Sequence, residues 1–363
     1  MGVRRVGVLT AGGDCPGLNA VIRAVTKTAL AECGMDVVGI EDGFAGLIEA
    51  RYRDLEWMSV SGILTLGGTI LGSSNRANPF GYPVTDDQGN TSYVDVSRQV
   101  VENVEKMRLD ALIAIGGDGT LTIAKRIMDL GVPTVGVPKT IDNDLYGTDQ
   151  TFGFDSAVTT ATEAIDKIHT TAQSHHRVMI VEVMGRNAGW LALWSGVAGG
   201  ADVILIPEIA YGLERVSDVV VRRSRQGKRF SIVVVAEGAK TDSGEVVVHR
   251  RVADSMEAKR LGGIGHKLAD DIEQATGLEC RVTTLGHLQR GGSPSAYDRV
   301  LATRFGREAS RLTADQRYGK MVALRGTEIT SVPIEAVAGK QRLVPADDHL
   351  VACARSVGTS FGD

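Results

Sequence analysis

Cysteines and long apolar runs are scarce in this chain of 363 residues. The four cysteines form no CxxC pair, which favours free thiols in a reduced compartment over a disulfide framework. The longest apolar stretch, Leu191–Ile206, is interrupted by glycines and Asp202, whereas a membrane span needs about 20 apolar residues. We read it as a buried helix followed by a strand. Because the first apolar run, Val6–Leu9, starts so early, we expect no signal peptide.

An excess of basic residues is also missing, since 40 Lys and Arg stand against 44 Asp and Glu. The resulting net charge of −4 argues against a general nucleic-acid binder. Prolines number only 9 while glycines number 44, and so many glycines suggest tight turns in which backbone amides approach a ligand closely. We therefore expect a soluble cytoplasmic protein with neither a nucleic-acid nor a membrane partner.

Short apolar runs alternate with amphipathic stretches along most of the chain. The expected strands are Val6–Leu9, Val37–Ile40, Leu112–Ile115, Val135–Val137, Val178–Val183, Val203–Ile206, Ile232–Ala236 and Val282–Leu285. The expected helices are Ala20–Cys33, Val96–Met107, Leu121–Leu130, Ala157–Gln173, Val216–Arg225 and Ile264–Thr276. This alternation predicts an α/β fold with doubly wound, largely parallel sheets, and the length allows two domains that share one site. Ligands of such folds bind at the carboxyl ends of the strands.

Two glycine-rich turns follow expected strands. Gly12 to Gly17 could face an anion with backbone amides, although a plain tight turn has the same composition. Gly116 to Thr120 combines glycines that clear space for phosphates with Asp118, a hard oxygen ligand suited to Mg²⁺. We also expect Thr120 to cap the helix that follows.

The segment after the strand Val135–Val137 carries Lys139, Asp142 and Asp144. In an extended segment the two carboxylates would project to one side. One could then accept the proton of an attacking alcohol while the other works with a metal, and the lysine adds a cation. An Asx-rich turn is the alternative. A positioned base, a metal and cations are the requirements of phosphoryl transfer.

A set of cations stands at other strand ends. Arg177 and Arg186 bracket one strand with their backbones about 30 Å apart, so we expect one of them to serve a neighbouring subunit. His287 and Arg290, three residues apart beside glycines, could jointly hold a phosphate. Glu237 ends a further strand and would suit a sugar hydroxyl.

At this point the sequence resembles the phosphofructokinase family over nearly its whole length. The matching segments are TAGGDCPGLNAVIR, GGTILGSS, AIGGDGT, VPKTIDNDL, TFGFDSA, EVMGR, VAEG and LGHLQRGGSPSAYDR. The combination of GGDGT with PKTIDND is similar to the mixed-substrate branch of the bacterial-type enzymes. The resemblance implies an Mg²⁺-dependent enzyme of glycolysis that uses ATP to phosphorylate the 1-hydroxyl of fructose 6-phosphate. It also implies a homodimer or homotetramer.

The resemblance also implies roles for individual residues. Asp142 matches the catalytic base, with Lys139 and Arg186 as further catalytic candidates, and Asp118 matches the Mg²⁺ ligand. The donor-binding candidates are Gly13, Arg76, Gly117, Gly119 and Thr120, although here Asn75 separates Arg76 from the preceding serines. The sugar-phosphate candidates are Thr140, Asp142, Arg177, Met184, Gly185, Arg186, Glu237, Arg281, His287 and Arg290. Among these, Arg177 and Arg281 match residues that the family lends across a subunit interface.

The two-domain organisation of the family implies a division of this chain. We expect residues 1–154 with about 290–340 to form the donor-binding domain. Residues of about 155–289 with 341–363 would form the domain that binds fructose 6-phosphate. The active site would lie in the cleft between the two domains.

Two positions bear on the phosphoryl donor. Pyrophosphate-dependent relatives carry an aspartate where Gly119 stands, and that side chain would occupy the space of the nucleotide. Lys139 instead resembles the pyrophosphate-using branch. Because a charge is more easily tolerated than an overlap, we favour ATP, with pyrophosphate as the alternative donor.

Other functions explain less of the sequence. The GGDGT motif also occurs in lipid and NAD kinases, but such an enzyme leaves TIDND, MGR and GHLQRGG unexplained. A sugar-phosphate sensor without catalysis would need neither the base Asp142 nor the metal ligand Asp118.

Overall fold

A seven-stranded sheet dominates the computed structural model, which describes residues 2–251 and 259–363. Its strands are β1 (Arg5–Thr10), β2 (Asp36–Ile40), β3 (Tyr52–Leu55), β6 (Ala111–Gly116), β7 (Thr134–Pro138), β14 (Lys320–Arg325) and β15 (Glu328–Pro333). They run in the order β15-β14-β7-β6-β1-β2-β3. The five central strands are parallel, and only the edge strands β3 and β15 are antiparallel to their neighbours.

A second sheet has four strands, all parallel, in the order β13-β8-β10-β9. These are β8 (Val178–Val183), β9 (Val203–Leu205), β10 (Ser231–Ala236) and β13 (Cys280–Thr284). The described residues also form two small antiparallel pairs of strands: β4 (Tyr82–Thr85) with β5 (Thr91–Val94), and β11 (Val248–Arg251) with β12 (Lys259–Leu261). Two mainly parallel sheets with helices between their strands confirm the α/β prediction.

Helices cover both sheets. They are α1 (Leu18–Thr28), α2 (Phe44–Glu49), α3 (Ser97–Lys106), α4 (Asp118–Asp129), α5 (Phe154–His175), α6 (Trp190–Ala198), α7 (Leu213–Arg225), α8 (Ile264–Thr276), α9 (Ala296–Ala314), α10 (Ile334–Val337) and α11 (His349–Ser356). A π-helical turn, Ala29–Cys33, extends α1, and a 3₁₀ helix, Gly286–Arg290, follows β13. None of the helices in the described residues is long and apolar enough to span a membrane.

One hydrophobic core connects the two sheets. It contains apolar residues from the inner strands of both and continues through α1, α5, α6 and α9. Among its largest fully buried side chains are Phe152 and Phe154 at the start of α5, and Phe305 of α9. The shared core fixes the position of one sheet relative to the other, and so sets the distance between their carboxyl edges.

The chain crosses between the sheets more than once. The large sheet uses residues 5–138 and 320–333, and the small sheet uses residues 178–284. The predicted division into a donor-binding domain and a domain that binds fructose 6-phosphate remains a prediction. The sequence analysis placed no element after residue 285, whereas α9, β14, β15, α10 and α11 all lie there.

Candidate active site

Three strands of the large sheet end side by side. Thr10 pairs with Ile115 and Gly116 pairs with Pro138, so the turns that follow β1, β6 and β7 meet at one edge. The amide of Lys139 continues this register by donating to Gly116 O at 3.0 Å. Both glycine-rich turns and the acidic segment therefore lie together, at the edge where a parallel sheet binds ligands.

The second glycine-rich turn differs from the expected structure in one respect. Helix α4 begins at Asp118 with Gly117 as its N-cap, so the prediction that Thr120 caps this helix is wrong. Thr120 is instead the third helical residue and is buried. Because the carboxylate of Asp118 stands in the first turn, the partial positive charge of the helix N-terminus faces it.

Asp118 is also held from the far end of the chain. Its Oδ1 accepts a hydrogen bond of 2.7 Å from the amide of Gly339, the second residue after α10. Burial raises the pKa of Asp118, and the Gly339 hydrogen bond partly opposes that rise. A partly desolvated carboxylate has few competing water ligands, which suits a divalent cation.

The first glycine-rich turn forms one wall of a small cradle. A Cβ placed on Gly12 would lie 3.6 Å from Lys139 Nζ and 3.7 Å from Thr120 Oγ1. Lys139 is only 4% exposed, and its ammonium group donates to Gly13 O. Burial lowers the pKa of Lys139. The ammonium group of Lys139 and the hydroxyl of Thr120 therefore both face the open space beside Gly12, where the sequence predicted a bound anion.

The acidic segment after β7 is a turn and not an extended strand. Asn143 lies between the two aspartates with φ 52°, in the left-handed region, so the predicted side-by-side projection of Asp142 and Asp144 is wrong. The amide of Asp142 donates to Thr140 Oγ1 at 3.1 Å. Thr151 closes the loop by donating its hydroxyl to Thr140 O at 2.7 Å and its amide to Asn143 Oδ1 at 3.0 Å.

This turn places Asp144 within electrostatic range of Asp118. Burial raises the pKa of Asp144, the charge of Asp118 raises it further, and Lys139 opposes both effects. The sequence analysis paired Asp144 with Asp142 as candidate acids, although the family resemblance assigned no role to Asp144. Within residues 2–251 and 259–363, no group of three or more His, Cys, Asp or Glu side chains could enclose a metal ion. Two acids fit Mg²⁺, which keeps waters and takes phosphate oxygens as its other ligands.

The carboxyl edge of the small sheet carries a second group of predicted residues. Val183 pairs with Ala236, which brings the turn at Met184, Gly185 and Arg186 beside Glu237. The amide of Glu237 donates to Val183 O at 2.9 Å. Gly185 has φ 131°, a conformation that requires glycine.

His287 and Arg290 lie in the 3₁₀ helix that follows β13. Residues three apart eclipse each other in this helix, so both side chains share a face, as the sequence hypothesis requires. His287 is exposed, whereas Arg290 reaches the first glycine-rich turn and donates from Nη1 to Asp14 O at 3.0 Å. A Cβ on Gly13 would collide with this guanidinium. Arg290 thus connects the two carboxyl edges.

Arg177 and Arg281 stand at the opposite, amino edge of the small sheet. Both pair with Glu279: Arg177 Nε lies 3.0 Å from Glu279 Oε2, and Arg281 bonds the other carboxylate oxygen. The structure therefore does not bring Arg177 and Arg281 to the same place as Arg186, in agreement with the distance derived from the strand length.

Arg76 follows the serines beside the first turn and is exposed. Ser73 Oγ donates to Gly12 O at 2.6 Å, and Gly12 donates from its amide to Ser74 O at 3.1 Å. Arg76 follows as an exposed residue whose amide contacts Ser74 Oγ at 3.3 Å. The serines are thus part of the cradle wall, and the role of Arg76 as a donor ligand stays a prediction.

The sequence analysis missed the residues that the C-terminal part of the chain contributes. Gly339 donates to Asp118, and Arg342 donates from its backbone amide to Asp144 O at 2.7 Å. These contacts use main-chain groups and one isolated arginine, so no local pattern signals them.

Comparison with known proteins places this geometry in a family. A family model described as phosphofructokinase matches residues 5–313. The ATP-dependent 6-phosphofructokinase 2 of Clostridium perfringens is 53% identical, and the alignment covers 99% of each chain. A pyrophosphate–fructose 6-phosphate 1-phosphotransferase of Streptomyces coelicolor is 54% identical over 99% of this chain and 100% of the relative.

Solved structures share the fold. Phosphofructokinase from Saccharomyces cerevisiae matches with a TM-score of 0.76 and 32% identity, covering 92% of this chain, which spans 45% of the yeast chain. A pyrophosphate-dependent phosphofructokinase from Nitrosospira multiformis matches with a TM-score of 0.81 at 20% identity, over 97% of this chain and 90% of that chain. The second likeness bears on the fold alone. On the family model and the full-length relatives, this chain belongs to the phosphofructokinase family.

Proposed function

We propose that this chain transfers the γ-phosphoryl group of ATP to the 1-hydroxyl of fructose 6-phosphate, giving fructose 1,6-bisphosphate. The observation that carries the proposal is the meeting of the loop 139–151 with the cradle around Gly12 and the start of α4 at one sheet edge. Named relatives at 47–53% identity over the whole chain are ATP-dependent 6-phosphofructokinases, which supports the same reaction.

The residues at the large-sheet edge divide the work of phosphoryl transfer. Asp142 accepts the proton of the attacking sugar hydroxyl, a role that contributes on the order of 10²–10⁴-fold to rate. Lys139, fixed beneath Gly13, and the backbone around Gly12 and Gly117 face the donor phosphates. Because the transition state is loose, positioning and neutralisation of the phosphate charge supply most of the catalysis.

Asp118 would hold Mg²⁺, and Asp144, whose pKa the charge of Asp118 affects, is the candidate for a second carboxylate. When bound, the ion neutralises charge on the donor phosphates. Burial raises the pKa of both acids, and the charge of Asp118 adds to the rise at Asp144, so a bound cation would stabilise both carboxylates.

The sugar phosphate is placed at the carboxyl edge of the small sheet. His287, Arg290 and Arg186 supply positive or hydrogen-bonding groups there, and Glu237 a carboxylate for a sugar hydroxyl. Arg177 and Arg281, at the other edge of that sheet, are proposed to reach the site of a neighbouring subunit. The protein would accordingly act as a homodimer or homotetramer in the cytoplasm, as a glycolytic enzyme.

Pyrophosphate is the second candidate donor. It is favoured by the Streptomyces coelicolor relative at 54% identity and by the cation Lys139 behind the first turn. ATP is favoured by Gly119, whose lack of a side chain leaves space beside Asp118. Overall identity does not separate the two, because both kinds of relative are equally close.

An assay of the purified protein with fructose 6-phosphate and each donor tests the proposal. We expect Mg²⁺-dependent formation of fructose 1,6-bisphosphate with ATP at a kcat/KM well above that with pyrophosphate. Turnover with pyrophosphate alone would support the second candidate. Binding of fructose 6-phosphate with no turnover of either donor would contradict both and indicate a sensor.

A further inference from the structure

Residues 338–344 cross the candidate active site although they lie beyond residue 313, where the family match ends. The segment starts after α10, on the side of the large sheet, and leads toward α11 beside the small sheet. We call residues 338–344 the strap. Its main-chain and side-chain groups contact, in succession, Asp118, the loop 139–151 and the start of α6.

The first contact is the hydrogen bond from Gly339 to Asp118 already described. Two residues on, Gln341 forms an isolated antiparallel bridge with Leu145, and Arg342 donates from its amide to Asp144 O. The strap therefore runs beside the loop 139–151 as a short partner strand. Backbone bonds of this kind fix the path of both segments.

The side chain of Arg342 makes the second set of contacts. Its Nη1 donates to Asp149 O at 2.8 Å and to Asn143 O at 3.4 Å, so one guanidinium joins both arms of the loop. Asn143, in its left-handed conformation, directly follows Asp142. Fixing the carbonyl of Asn143 therefore restrains the orientation of the residue that bears the proposed base.

The third set of contacts anchors the strap to the small-sheet side. The guanidinium of Arg342 lies 4.3 Å from the ring centroid of Trp190, whose Nε1 donates to Arg342 O at 2.8 Å. Val344 donates from its amide to Glu208 Oε1 at 2.9 Å, and the same carboxylate accepts from the amide of Gly189 at the start of α6. Arg342 is thus held by the loop on one side and by Trp190 on the other.

We infer that Arg342 is a positioning residue for the proposed phosphoryl transfer. It holds the loop that carries Asp142 in position relative to Asp118, although it lies outside the residues that the family model matches. This inference rests on the proposed function. Arg342 touches neither reacting group, and it acts through the carbonyls of Asn143 and Asp149. Without the Arg342 side chain, the average position of the loop carrying Asp142 should not change, but the loop should sample a wider range of positions. Such a change lowers turnover more than substrate affinity.

The test replaces Arg342 by Met, which retains a similar length over Trp190 but cannot donate to the carbonyls. We expect Arg342→Met to lower kcat by about 100-fold while KM for fructose 6-phosphate and ATP changes by less than about threefold. Arg342→Lys keeps a cation over Trp190 but lacks the planar fork, so it should restore part of the lost kcat.

Arg325→Met is the matched control. Arg325 contacts the same residue, Asp149, but through an ion pair of 2.9 Å between side chains that are 54% and 44% exposed. Removing this pair should leave kcat within about twofold of the wild type. Equal losses in Arg342→Met and Arg325→Met would overturn the assignment, because both would then reflect stability alone.

Amide hydrogen exchange without substrate separates this inference from the proposed function. We expect faster exchange over residues 140–151 in Arg342→Met, unchanged exchange in the central strands, and wild-type exchange in Arg325→Met. Unaltered exchange together with wild-type kcat in folded Arg342→Met would overturn the inference. If Arg342→Met does not fold, Arg342→Lys decides, and wild-type kcat in that variant would overturn it. Failure of the wild type to turn over either donor would refute the proposed function, and the exchange result would still decide the positioning role.

Discussion

The carboxyl edges of the two sheets hold their polar groups in different ways. At the large-sheet edge, Lys139 and Asn143 are each only 4% exposed and bond to neighbouring backbone or loop residues. At the small-sheet edge, His287 is exposed and the adjacent Leu288 is 68% exposed. The difference teaches that Lys139 and the turn at Asn143 are fixed in advance by buried contacts, whereas His287 at the proposed sugar-phosphate side remains accessible to a ligand. The predictions below therefore separate turnover from affinity.

The largest effect is expected from Asp142→Ser at the large-sheet edge. Loss of the proposed base should lower kcat by roughly 10²–10⁴-fold with little change in KM for fructose 6-phosphate, since binding groups remain. Steady-state kinetics measure both values. Asp149→Ser, a change in the same loop at an exposed carboxylate, is the control and should retain kcat within a few-fold. An active Asp142→Ser enzyme would remove Asp142 from its assigned role.

Gly119→Asp probes the donor side of the same edge. Asp is favourable in the first turn of a helix, so α4 should form normally in the variant. The added side chain would overlap the nucleotide, and we expect kcat/KM with ATP to fall about 30-fold more than with pyrophosphate. Parallel assays with the two donors provide the internal control. An equal fall with both donors would show that Gly119 does not select between them.

His287→Gln, at the small-sheet edge, should change substrate affinity and not turnover. We expect KM for fructose 6-phosphate to rise about tenfold at nearly constant kcat, because the more flexible glutamine amide holds the ligand hydrogen bond less well than the imidazole does. His266→Gln, at another exposed histidine on α8, is the matched control. A fall in kcat without a rise in KM would mean that the two edges do not divide binding from chemistry.

The smallest effect concerns the junction between α5 and α9, which supports both edges. Asp298 is fully buried and accepts from the amide and hydroxyl of Ser156 at 2.8 and 2.6 Å. Burial raises the pKa of Asp298 from 3.8 to about 6. The folded protein therefore binds this proton more tightly than the unfolded chain. The stabilisation is complete below the unfolded pKa and is lost as the pH rises through about 6.

Asp298→Asn cannot ionise and should not lose stability in that window. The free energy of unfolding of the wild type, relative to the variant, should fall by about 1 kcal/mol between about pH 5 and about pH 7. Urea unfolding at the two pH values measures it. Asp129→Asn on the surface of α4 controls for the loss of a charge. A difference that grows in the opposite direction would contradict the raised pKa.

The sequence was sufficient to predict the inner strands of both sheets, except β14, and most helices. Runs such as Val178–Val183 and Ile232–Ala236 are rich in β-branched apolar residues because both faces of a parallel strand are buried. The ends of the predicted strands then located the turns that carry Lys139, Asp118 and Arg186. Family membership followed from the resemblance of the motifs in these turns to the phosphofructokinase family.

Helix α9 was missed because small and polar residues, such as Gly306 and Ser310, interrupt the apolar pattern of its buried face. A Cβ on Gly306 would lie 2.7 Å from Ala24 Cβ and 2.8 Å from Val21 O, so α9 packs closely against α1. Small residues at such a contact produce no apolar stripe of the usual kind. The strap was missed for another reason. Its hydrogen bonds from Gly339 and Arg342 join residues about 200 positions apart in sequence, and no local pattern encodes them.

A crystal structure with fructose 6-phosphate, Mg²⁺ and a non-hydrolysable ATP analogue tests the central claim most directly. We expect the sugar 1-hydroxyl roughly 3 Å from a carboxylate oxygen of Asp142, the metal on Asp118, and the γ-phosphate between them. Ligands bound with Asp142 and Asp118 facing separate clefts would contradict this account.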